Sequence, residues 1–531
     1  MKLATITKRA LTSRKIFYPL AIIAVLAANV NALAEPAYAQ AKYIMSRQQS
    51  VIEQYGRWDI LPYESPVNSV HAALLNTGKV LLIAGSGNDK EQFDAGTFRT
   101  VIWNPADGSF KEVPTPWDVF CAGHTFLPDG RLLVAGGTRV YENLEIEPKL
   151  NYAGLRDSYI FDPKTESYEK VDDMEFARWY PTLVALADGK VMAVAGLDDR
   201  GKMSGGETEI YDPATKTWTT RADLDHVFPT YPALTLMADG RLFYSGGNQG
   251  YVPGGNSLKP GIWNLLNNDF QYVAGLPDDQ RTDNSSTVLL PPAQDQKVML
   301  MGGARAGDSP ETETTNRTAI IDLDASANPQ YVQGPNLKNA TRYPSAVILP
   351  DDTVFQTGGS RGYRGIGGDL LTSQIYNPAT NSFSDAASST VGRNYHSEAI
   401  LLPDGRVAVF GSDPLFGKFE MRIEVYSPSY LFKGSRPAIT SGDTELTRGT
   451  TAGFSLAAGT KVKNAKLVRP SAVTHVTDVD QRSVDLPFTR TAGGIDVQVP
   501  NNPGLLPSGW YMAYVTDDRG VPSAAHWVHV K

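Results

Sequence analysis

The chain of 531 residues has a single cysteine, Cys121, and no cluster of basic residues beyond its first residues. One cysteine excludes an intramolecular disulfide and a zinc site built on a cysteine pair. Lysine and arginine number 49 against 57 acidic residues, and the net charge is −8. Nucleic-acid binders normally carry clustered lysine and arginine, so nucleic acid is not expected as a partner. The His-Glu-x-x-His motif of zinc proteases is also missing.

Long apolar runs are missing too, with one exception near the N-terminus. Residues 16–34 are mostly apolar, follow five basic residues, and precede the small-x-small pattern Ala37-Tyr38-Ala39. This pattern predicts an export signal over residues 1–41, cleaved after Ala39 or Ala41. The alternative is an uncleaved anchor, which is the only way in which this sequence predicts a membrane partner. We expect an exported protein that is secreted, periplasmic or held on the outer face of a membrane.

Glycine (48) and proline (35) are more frequent than usual, which indicates many turns and an all-β chain. A β-type run that ends in glycine recurs seven times at intervals of 50–60 residues, most often after an Asp-Gly turn. The glycines that end the runs are Gly85, Gly136, Gly196, Gly246, Gly302, Gly358 and Gly411. A period near 50 with hairpin turns is typical of kelch-type blades. Residues 42–432 are therefore predicted to form a seven-bladed kelch-type β-propeller.

The repeat ends before residue 433, and the remaining chain has a different pattern. Residues 433–531 contain short alternating β-type runs, such as those that begin at Lys466, Gly494 and Trp510. About a hundred residues of such strands are typical of an immunoglobulin-like β-sandwich. We therefore expect a second, smaller C-terminal domain.

One position of the repeat is occupied by residues whose side chains can bind a metal or take part in a reaction. Eight residues before the hairpin aspartate, five blades hold Cys121, Tyr180, Tyr231, Tyr343 and His396, and Tyr395 precedes His396. Equivalent positions of a propeller lie at one level around its channel, so these side chains are expected to converge. Each of them alone is more simply explained by packing. Together, imidazole and phenol groups are suitable ligands for Cu(II).

Four segments resemble the copper radical oxidases, the family of galactose oxidase and glyoxal oxidase. They are Phe120-Cys121-Ala122-Gly123, Arg178-Trp179-Tyr180-Pro181, Arg393-Asn394-Tyr395-His396-Ser397 and Thr474-His475 with the following Asp480-Gln481-Arg482. The similarity extends over nearly the whole chain after the export signal, including the propeller and the C-terminal domain. It is closest to a bacterial glyoxal-oxidase-like branch, in which tryptophan directly precedes the modified tyrosine.

The resemblance implies a copper site and a reaction. Tyr180, Tyr395, His396 and His475 would be the copper ligands, with His475 supplied by the C-terminal domain. Tyr180 would also carry a radical and be joined to the sulfur of Cys121 by a self-processed thioether bond. The implied activity is oxidation of a small aldehyde or primary alcohol, such as glyoxal or glycolaldehyde, by O2 with release of H2O2.

One departure from galactose oxidase concerns the tryptophan that stacks on the cross-linked tyrosine. The corresponding stretch, Gly196-Leu197-Asp198-Asp199, has no tryptophan, and Trp179 is the expected substitute. Galactose specificity therefore does not follow from the resemblance, although a galactose-type alcohol oxidase stays an alternative. A second alternative is a non-catalytic propeller that binds cell-surface glycans.

Several further residues are candidates for supporting roles. Arg342 and Tyr343 are expected at the channel level of the ligands, where they would contact substrate. His124, three residues after Cys121, would line the channel mouth or serve packing. Asp478 and Gln481 are expected to orient the loop that carries His475.

Overall fold

The computed structural model describes residues 44–143, 151–251, 259–306 and 313–531, so the predicted export signal lies outside the described residues. Its helices are short: α1 (Gln49–Tyr55), α2 (Lys90–Asp94) and 3₁₀ turns at Ala293–Asp295, Tyr363–Gly365 and Ser429–Phe432. None of the helices in these ranges has both the length and the apolar character needed to cross a bilayer.

Almost all regular structure is β. The strands up to residue 272 are β1 (Arg57–Glu64), β2 (His71–Leu74), β3 (Val80–Gly85), β4 (Arg99–Trp103), β5 (Phe110–Pro114), β6 (Gly123–Phe126), β7 (Leu132–Ala135), β8 (Thr138–Val140), β9 (Ala153–Gly154), β10 (Ser158–Asp162), β11 (Ser167–Lys170), β12 (Thr182–Ala185), β13 (Val191–Val194), β14 (Glu209–Asp212), β15 (Thr217–Thr220), β16 (Leu234–Leu236), β17 (Leu242–Tyr244), β18 (Gly261–Asn264) and β19 (Asp269–Tyr272).

The strands from residue 286 to residue 427 are β20 (Ser286–Leu289), β21 (Lys297–Met301), β22 (Thr318–Asp322), β23 (Tyr331–Gln333), β24 (Ser345–Ile348), β25 (Val354–Thr357), β26 (Ser373–Asn377), β27 (Ser382–Ala386), β28 (Ser397–Leu401), β29 (Val407–Gly411) and β30 (Arg422–Ser427). The strands after Arg436 are β31 (Ile439–Gly442), β32 (Glu445–Leu446), β33 (Thr451–Leu456), β34 (Asn464–Val468), β35 (Ala472–Thr474), β36 (Ser483–Asp485), β37 (Phe488–Arg490), β38 (Gly494–Gln498), β39 (Gly509–Thr516) and β40 (His526–Val530).

The strands before Arg436 form, in the described part of the chain, a two-stranded sheet of β8 and β9 and seven larger antiparallel sheets that match the seven repeats. Their strand orders are β2-β3-β4-β5, β6-β7-β10-β11, β12-β13-β14-β15, β16-β17-β18-β19, β20-β21-β22-β23, β24-β25-β26-β27 and β28-β29-β30-β1. The N-terminal β1 completes the last sheet, with Arg57 opposite Ser427. The first strand of a sheet contacts that of its neighbour at β6 and β12, β12 and β16, β20 and β24, and β24 and β28, and β28 returns to contact β2. The predicted all-β fold of repeated four-stranded units is confirmed.

Burial follows the position of a strand in its sheet. Inner strands such as β2, β3, β6 and β7 are buried along their whole length, because both faces pack against neighbouring sheets. Outer strands such as β11 and β15 are largely exposed. The continuous apolar runs of the sequence therefore belong to the inner strands, and the polar ones to the rim.

The repeated glycine after an inner strand lets the next segment pass closely. A Cβ on Gly136, whose φ is +84°, would lie 2.4 Å from the carbonyl oxygen of Arg178. A Cβ on Gly411 would lie 2.2 Å from the carbonyl oxygen of His396. Both distances are shorter than a side chain allows, so only glycine fits there. In both cases the segment that passes is one of those carrying candidate ligands.

The strands after Arg436 form two further sheets, ordered β31-β33-β38-β37 and β32-β40-β39-β34-β36. They share one apolar core with the propeller sheets, in which Phe454 and Leu467 pack in the same cluster as Phe243 and Leu289. Strand β35 is separate, because it joins β2 of the first propeller sheet, with Thr474 opposite His71. This pairing places the segment around His475 among the inner strands.

Candidate active site

The residues eight positions before the hairpin aspartates lie at one level around the centre of the ring of sheets. They adopt left-handed backbone at the start of an inner strand, with φ of +61° at Cys121, +65° at Tyr180, +43° at Tyr231, +60° at Tyr343 and +52° at His396. Backbone hydrogen bonds link neighbours at this level: the Tyr180 N–H donates to the Cys121 carbonyl, and the Tyr231 N–H to the Tyr180 carbonyl, both at 3.0 Å. Because the turn and the bond repeat, the side chains from different sheets converge.

Of the two blades without a hairpin aspartate, the one that begins with β20 has the same feature, which the sequence pattern missed. Asn284 has φ +55°, its N–H donates to the Asn248 carbonyl, and its own carbonyl accepts from the Tyr343 N–H, each at 2.8 Å. Six blades therefore present a left-handed residue at this level of the described structure. In the first sheet, β35 lies beside β2 and brings His475 to the site.

Two phenols and two imidazoles meet at this level. The hydroxyl of Tyr180 is hydrogen-bonded to that of Tyr395, and it lies 2.9 Å from His475 Nε2. The rings of His396 and His475 have centroids 4.5 Å apart. All four side chains are buried or nearly so, although they come from three separate parts of the chain. The structure thus brings together the four ligands that the resemblance implied.

His396 is oriented by a network that the sequence did not reveal. Its Nδ1 lies 3.2 Å from Asp413 Oδ2, and Asp413 also forms an ion pair with Arg364 and accepts from Asn88 Nδ2 at 2.6 Å. A carboxylate on Nδ1 leaves Nε2 as the free, electron-rich nitrogen. That Nε2 is buried and makes no hydrogen bond to any residue within the described ranges.

His475 lies in a strained two-residue turn. The N–H and carbonyl groups of Thr474 and Thr477 are hydrogen-bonded to each other, and between them His475 has φ +50° and Val476 φ +60°. A β-branched residue rarely adopts such a φ, and strain of this kind is typical of functional sites. Thr474 Oγ1 lies 2.6 Å from His475 Nδ1, so the hydroxyl and the turn together direct Nε2 toward Tyr180.

Cys121 lies beside Tyr180 within the same cluster. Its sulfur is within 4.8 Å of a ring nitrogen of both His396 and His475. The thiol is fully buried, and burial raises its pKa well above the usual value, while contact with Tyr180 opposes that rise. An isolated buried thiol of this kind is unreactive toward solvent. Its chemistry is therefore confined to the neighbouring tyrosine and to whatever the cluster binds.

Trp179 covers the Tyr180 ring. The two rings are stacked, with centroids 3.7 Å apart and planes inclined by 5°. Tyr152 stacks on the other face of Trp179 at 4.5 Å, and the indole N–H donates to Thr138 Oγ1 at 3.0 Å. The stacked tryptophan thus comes from the residue next to the tyrosine, as expected. Tyr152 was not predicted, because it lies outside the repeat pattern.

Burial governs the protonation of the site residues. Desolvation raises the pKa of Tyr180 and of Tyr395 well above the usual phenol value. Desolvation also lowers the pKa of His475 well below 6.5 and, less strongly, that of His396. Both imidazoles are therefore neutral and have a lone pair to donate. A bound cation would reverse the effect on the phenols, because it stabilises phenolate.

A pocket opens above these residues. Beyond Tyr180, Tyr395 and Trp179, its lining includes Gln249, Tyr251, Arg342, Tyr343, Tyr363 and Arg364. Arg342 is held in place by Asp283 at 2.9 Å and by the side chain of Asn284. The pocket walls are polar and aromatic, which suits a small polar organic molecule. Arg342 and Tyr343 are therefore at the pocket, where the sequence placed them.

The other residues named from the sequence lie near the site but not in it. Gln481 accepts from the Ile348 N–H at 2.5 Å and donates to the Ala346 carbonyl at 3.1 Å, which fastens the loop to β24. Asp478 accepts from the Gln481 N–H at 3.1 Å. His124 is buried next to His71 on the inner strands, not at the pocket. Asp413, Arg364 and Asn88 carry no repeat signal, and no pattern in the sequence could have identified them.

Two family models match the chain. "Glyoxal oxidase N-terminus" matches residues 85–430, and "Galactose oxidase-like, Early set domain" matches residues 436–530. The second match begins close to the point at which the sequence repeat ends.

Curated relatives match over most of the chain. "Galactose oxidase" of Gibberella zeae is 27 % identical over 515 residues, which cover 90 % of this chain and 70 % of the relative. "Aldehyde oxidase GLOX" of Vitis pseudoreticulata is 24 % identical and covers 90 % of this chain and 97 % of the relative. These relatives are fungal and plant proteins, so membership of a bacterial branch stays a prediction.

A solved structure has the same fold. It is described as "Novel fungal alcohol oxidase with catalytic diversity among the AA5 family, in complex with copper". It superposes with a TM-score of 0.76 at 23 % identity and covers 90 % of this chain and all of that one. At this level of sequence identity the structural likeness shows a shared fold and nothing more about this chain.

Proposed function

Because the chain belongs to the copper radical oxidase family of galactose oxidase and glyoxal oxidase, we propose that it oxidises a small aldehyde or primary alcohol with O2. A primary alcohol would give the aldehyde, and an aldehyde would react as its hydrate, formed with water, to give the acid. In both cases two electrons and two protons pass from the substrate to O2, which becomes H2O2. The observation that carries the proposal is the convergence of Tyr180, Tyr395, His396 and His475 beneath one polar pocket.

The donor set fits copper. Two neutral imidazoles and two phenols form the nitrogen and oxygen environment that Cu(II) prefers. His396 Nε2 is buried without a hydrogen bond to any described residue, whereas Nδ1 on the other side of the ring is bonded to Asp413. Such an atom is costly unless something binds it, and a metal ligand is the simplest role for it. Tyr180, Tyr395, His396 and His475 would hold the ion.

Bound copper would supply one-electron redox chemistry and would lower the pKa of the phenols that hold it. Tyr395 is placed to take the proton of a substrate hydroxyl, and the Arg364 guanidinium, 5.4 Å from the Tyr395 ring centroid, favours its ionised form. Tyr180 is placed to take a hydrogen atom from the substrate carbon. Trp179 covers one face of the Tyr180 ring and excludes water from it.

The Cys121 sulfur gives Tyr180 a further property in this proposal. A thioether bond from sulfur to the phenol ring donates electron density and makes the ring easier to oxidise. The bond replaces one S–H and one ring C–H, and O2 is the oxidant that accepts the two electrons. Burial of Cys121 among Tyr180, His396 and His475 supports this assignment, because the sulfur lies beside the ring that it would join and beside the proposed copper ligands.

The walls of the pocket support a proposal for the substrate class. Arg342, Gln249 and Tyr363 offer polar contacts, and the stack of Tyr152 on Trp179 forms one side. We propose that a small polar molecule such as glyoxal or glycolaldehyde is preferred to galactose. A galactose-type alcohol oxidase is the second candidate, supported by the relative of that name from Gibberella zeae. Nothing in the described residues favours a non-catalytic glycan-binding propeller over either.

A substrate panel tests the proposal. Copper-loaded protein is incubated with glyoxal, glycolaldehyde and galactose, and H2O2 release is measured with O2 consumption. We expect peroxide from the small aldehydes, and none from the protein without copper. Preference for galactose by about tenfold or more in kcat/KM, which is about 1.4 kcal/mol of transition-state discrimination, would favour the second candidate. Copper binding without peroxide from any of the three would contradict the oxidase.

A further inference from the structure

Two more histidines lie beside the active site. His71 is on β2 and His124 is on β6, and both are buried. Their ring centroids are 5.0 Å apart, with the planes nearly perpendicular. His71 in turn lies 6.3 Å from the ring of His475. The three imidazoles form a series that ends at the active site.

The histidine pair has an unusual environment. The backbone of Val119 bonds to the His71 ring and that of Val473 to the His124 ring, which leaves each imidazole at least one nitrogen without a hydrogen bond to the residues that the structure describes. An unpaired buried polar group costs about 1–3 kcal/mol, so such groups in a native protein call for an explanation. Simple packing would be better served by an apolar residue, because an alkyl side chain leaves no buried polar atom without a partner.

His124, the outer member of the pair, borders a second cavity that is separate from the substrate pocket. This narrow cavity lies between the inner strands and the segment after β35, and it is lined also by Thr474, Thr477 and Tyr231. The Tyr231 ring lies 5.0 Å from that of His475, so the cavity ends next to the active site. None of the residues that line this cavity also lines the substrate pocket.

We propose that His71 and His124 form a second metal site, which binds Cu(I) and passes it to His475 and His396. Two neutral imidazoles suit Cu(I), because this ion accepts two-coordinate geometry and imidazole is a good ligand for copper. The transfer exchanges nitrogen ligands, so the oxidation state of the ion does not change and no co-reactant is needed. This inference rests on the proposed copper function, since it supplies the ion for that site.

Ag(I), which is a redox-inactive substitute for Cu(I), tests the site directly. Because thiolate also binds Ag(I), the titration uses metal-free Cys121→Ser protein, and the bound ions are counted by native mass spectrometry. We expect two ions on this chain, one when His396→Ala/His475→Ala is added, and none when His71→Leu/His124→Leu is added as well. One ion bound by the protein with all four histidines replaced, or none by the protein with only His396→Ala/His475→Ala added, would overturn the proposal.

Two controls distinguish loss of the proposed metal site from unfolding of the variant protein. His226→Leu changes a histidine that is bonded to the Asn268 carbonyl at 3.1 Å, far from the site, and should leave the count at two. If the leucine pair fails to fold by circular dichroism, His71→Gln/His124→Gln replaces it with the same expected counts. Two ions still bound by folded protein that carries His71→Gln/His124→Gln with His396 and His475 intact would also overturn the proposal.

The transfer role has its own measurement. Cu(I) is added to otherwise wild-type protein that carries His124→Leu, and the rate of copper incorporation is followed by atomic absorption after rapid desalting. We expect incorporation to slow about tenfold, with the same final copper content at the active site. An unchanged rate would show that copper enters elsewhere. Peroxide release by the slowly loaded protein would stay normal, so this failure is distinct from a failure of the proposed oxidase function.

Discussion

The proposed active-site residues have backbone conformations that are energetically unfavourable. Cys121, Tyr180, His396 and His475 all have φ between +50° and +65°. Each such residue costs of order 1–3 kcal/mol and persists only where the surrounding structure imposes it. Backbone hydrogen bonds between neighbouring sheets hold Cys121 and Tyr180, and the turn closed by Thr474 and Thr477 holds His475. The left-handed turn directs each side chain inward, toward the common point where the ligands meet.

The first prediction concerns Cys121. Cys121→Ser should keep the fold and most of the copper affinity, because sulfur is not one of the four proposed ligands. It should lower peroxide release by about a hundredfold or more, equal to about 2.7 kcal/mol of transition-state stabilisation. Copper-loaded, aerated wild-type protein should be lighter than the metal-free protein by two hydrogen atoms in denaturing mass spectrometry.

The matched control for this prediction is chemical. Denatured wild-type protein that has been loaded and aerated should not react with an alkylating reagent even after reduction, because a carbon–sulfur bond does not exchange as a disulfide does. Metal-free protein should react once per chain, at Cys121. One reactive thiol in the loaded protein would exclude the thioether.

At the scale of elements, the decisive feature is the segment from β35 to β36. It leaves the C-terminal sheets, pairs with β2 of the propeller, and returns after the turn at His475. Asp480 is hydrogen-bonded to Thr125 on β6, and Gln481 is bonded to β24. The segment is thus fastened to three inner strands, which keeps His475 in position.

The second prediction tests the ligand on that segment. His475→Ala should weaken copper binding by about a hundredfold or more, or about 2.8 kcal/mol, and abolish peroxide release. The fold should persist, because the segment keeps its bonds through Asp480 and Gln481. Competition with a copper chelator measures the affinity, and circular dichroism checks the fold. Wild-type copper affinity in the variant would remove His475 from the site.

The third prediction concerns the pH dependence of this segment. Burial, with the nearby Asp480, raises the pKa of Asp478 from 3.8 to about 7. In the unfolded chain Asp478 ionises near pH 4, so between pH 4 and pH 7 the folded state binds the extra proton. The contribution of this group to stability therefore decreases as pH rises through that range and stays low above it.

Asp478→Asn removes the ionisation and should stabilise the protein more at pH 8 than at pH 4. The expected gain at pH 8 is about 1 kcal/mol or more, or a rise in Tm of about 1 °C or more for a chain of this length. Thermal melts of both proteins at the two pH values measure it. Asp443→Asn, which alters an exposed carboxylate of the same domain, serves as the control and should show no such pH dependence. An equal change in Tm at both pH values would contradict the prediction.

At the scale of the whole molecule, the C-terminal sheets and the propeller sheets are joined by shared cores. One cluster contains Leu467 and Phe454 with Phe243 and Leu289, and another contains Met512 with residues of the first and last propeller sheets. Burial of apolar surface on both sides makes separation costly. The copper site would span the same boundary, since His475 comes from the smaller part.

The fourth prediction follows from these shared cores. Residues 44–531 should unfold in a single thermal transition, with equal calorimetric and van't Hoff enthalpies. Copper should raise the temperature of that one transition, because it binds the folded state only. Differential scanning calorimetry with and without copper measures both. Two separate transitions, of which one is unaffected by copper, would contradict it.

The sequence by itself determined the repeated unit of the fold and the ligand candidates. Strand-ending glycines and Asp-Gly turns are local signals, because a tight turn or a close approach needs a particular residue at a particular place. The common register of Cys121, Tyr180 and His396 is also readable, since one unit is repeated at a regular spacing. The resemblance added His475, which no repeat could indicate.

Only the tertiary structure decided how those candidates meet and what supports them. Asp413 behind His396, Tyr152 on Trp179, and β35 beside β2 join parts of the chain that are far apart in sequence and carry no shared pattern. The pair of His71 and His124 shows the same limit, because each residue looks like ordinary packing in the sequence. Contacts of this kind depend on how seven sheets and a second domain pack together, and local residue preferences do not encode that arrangement.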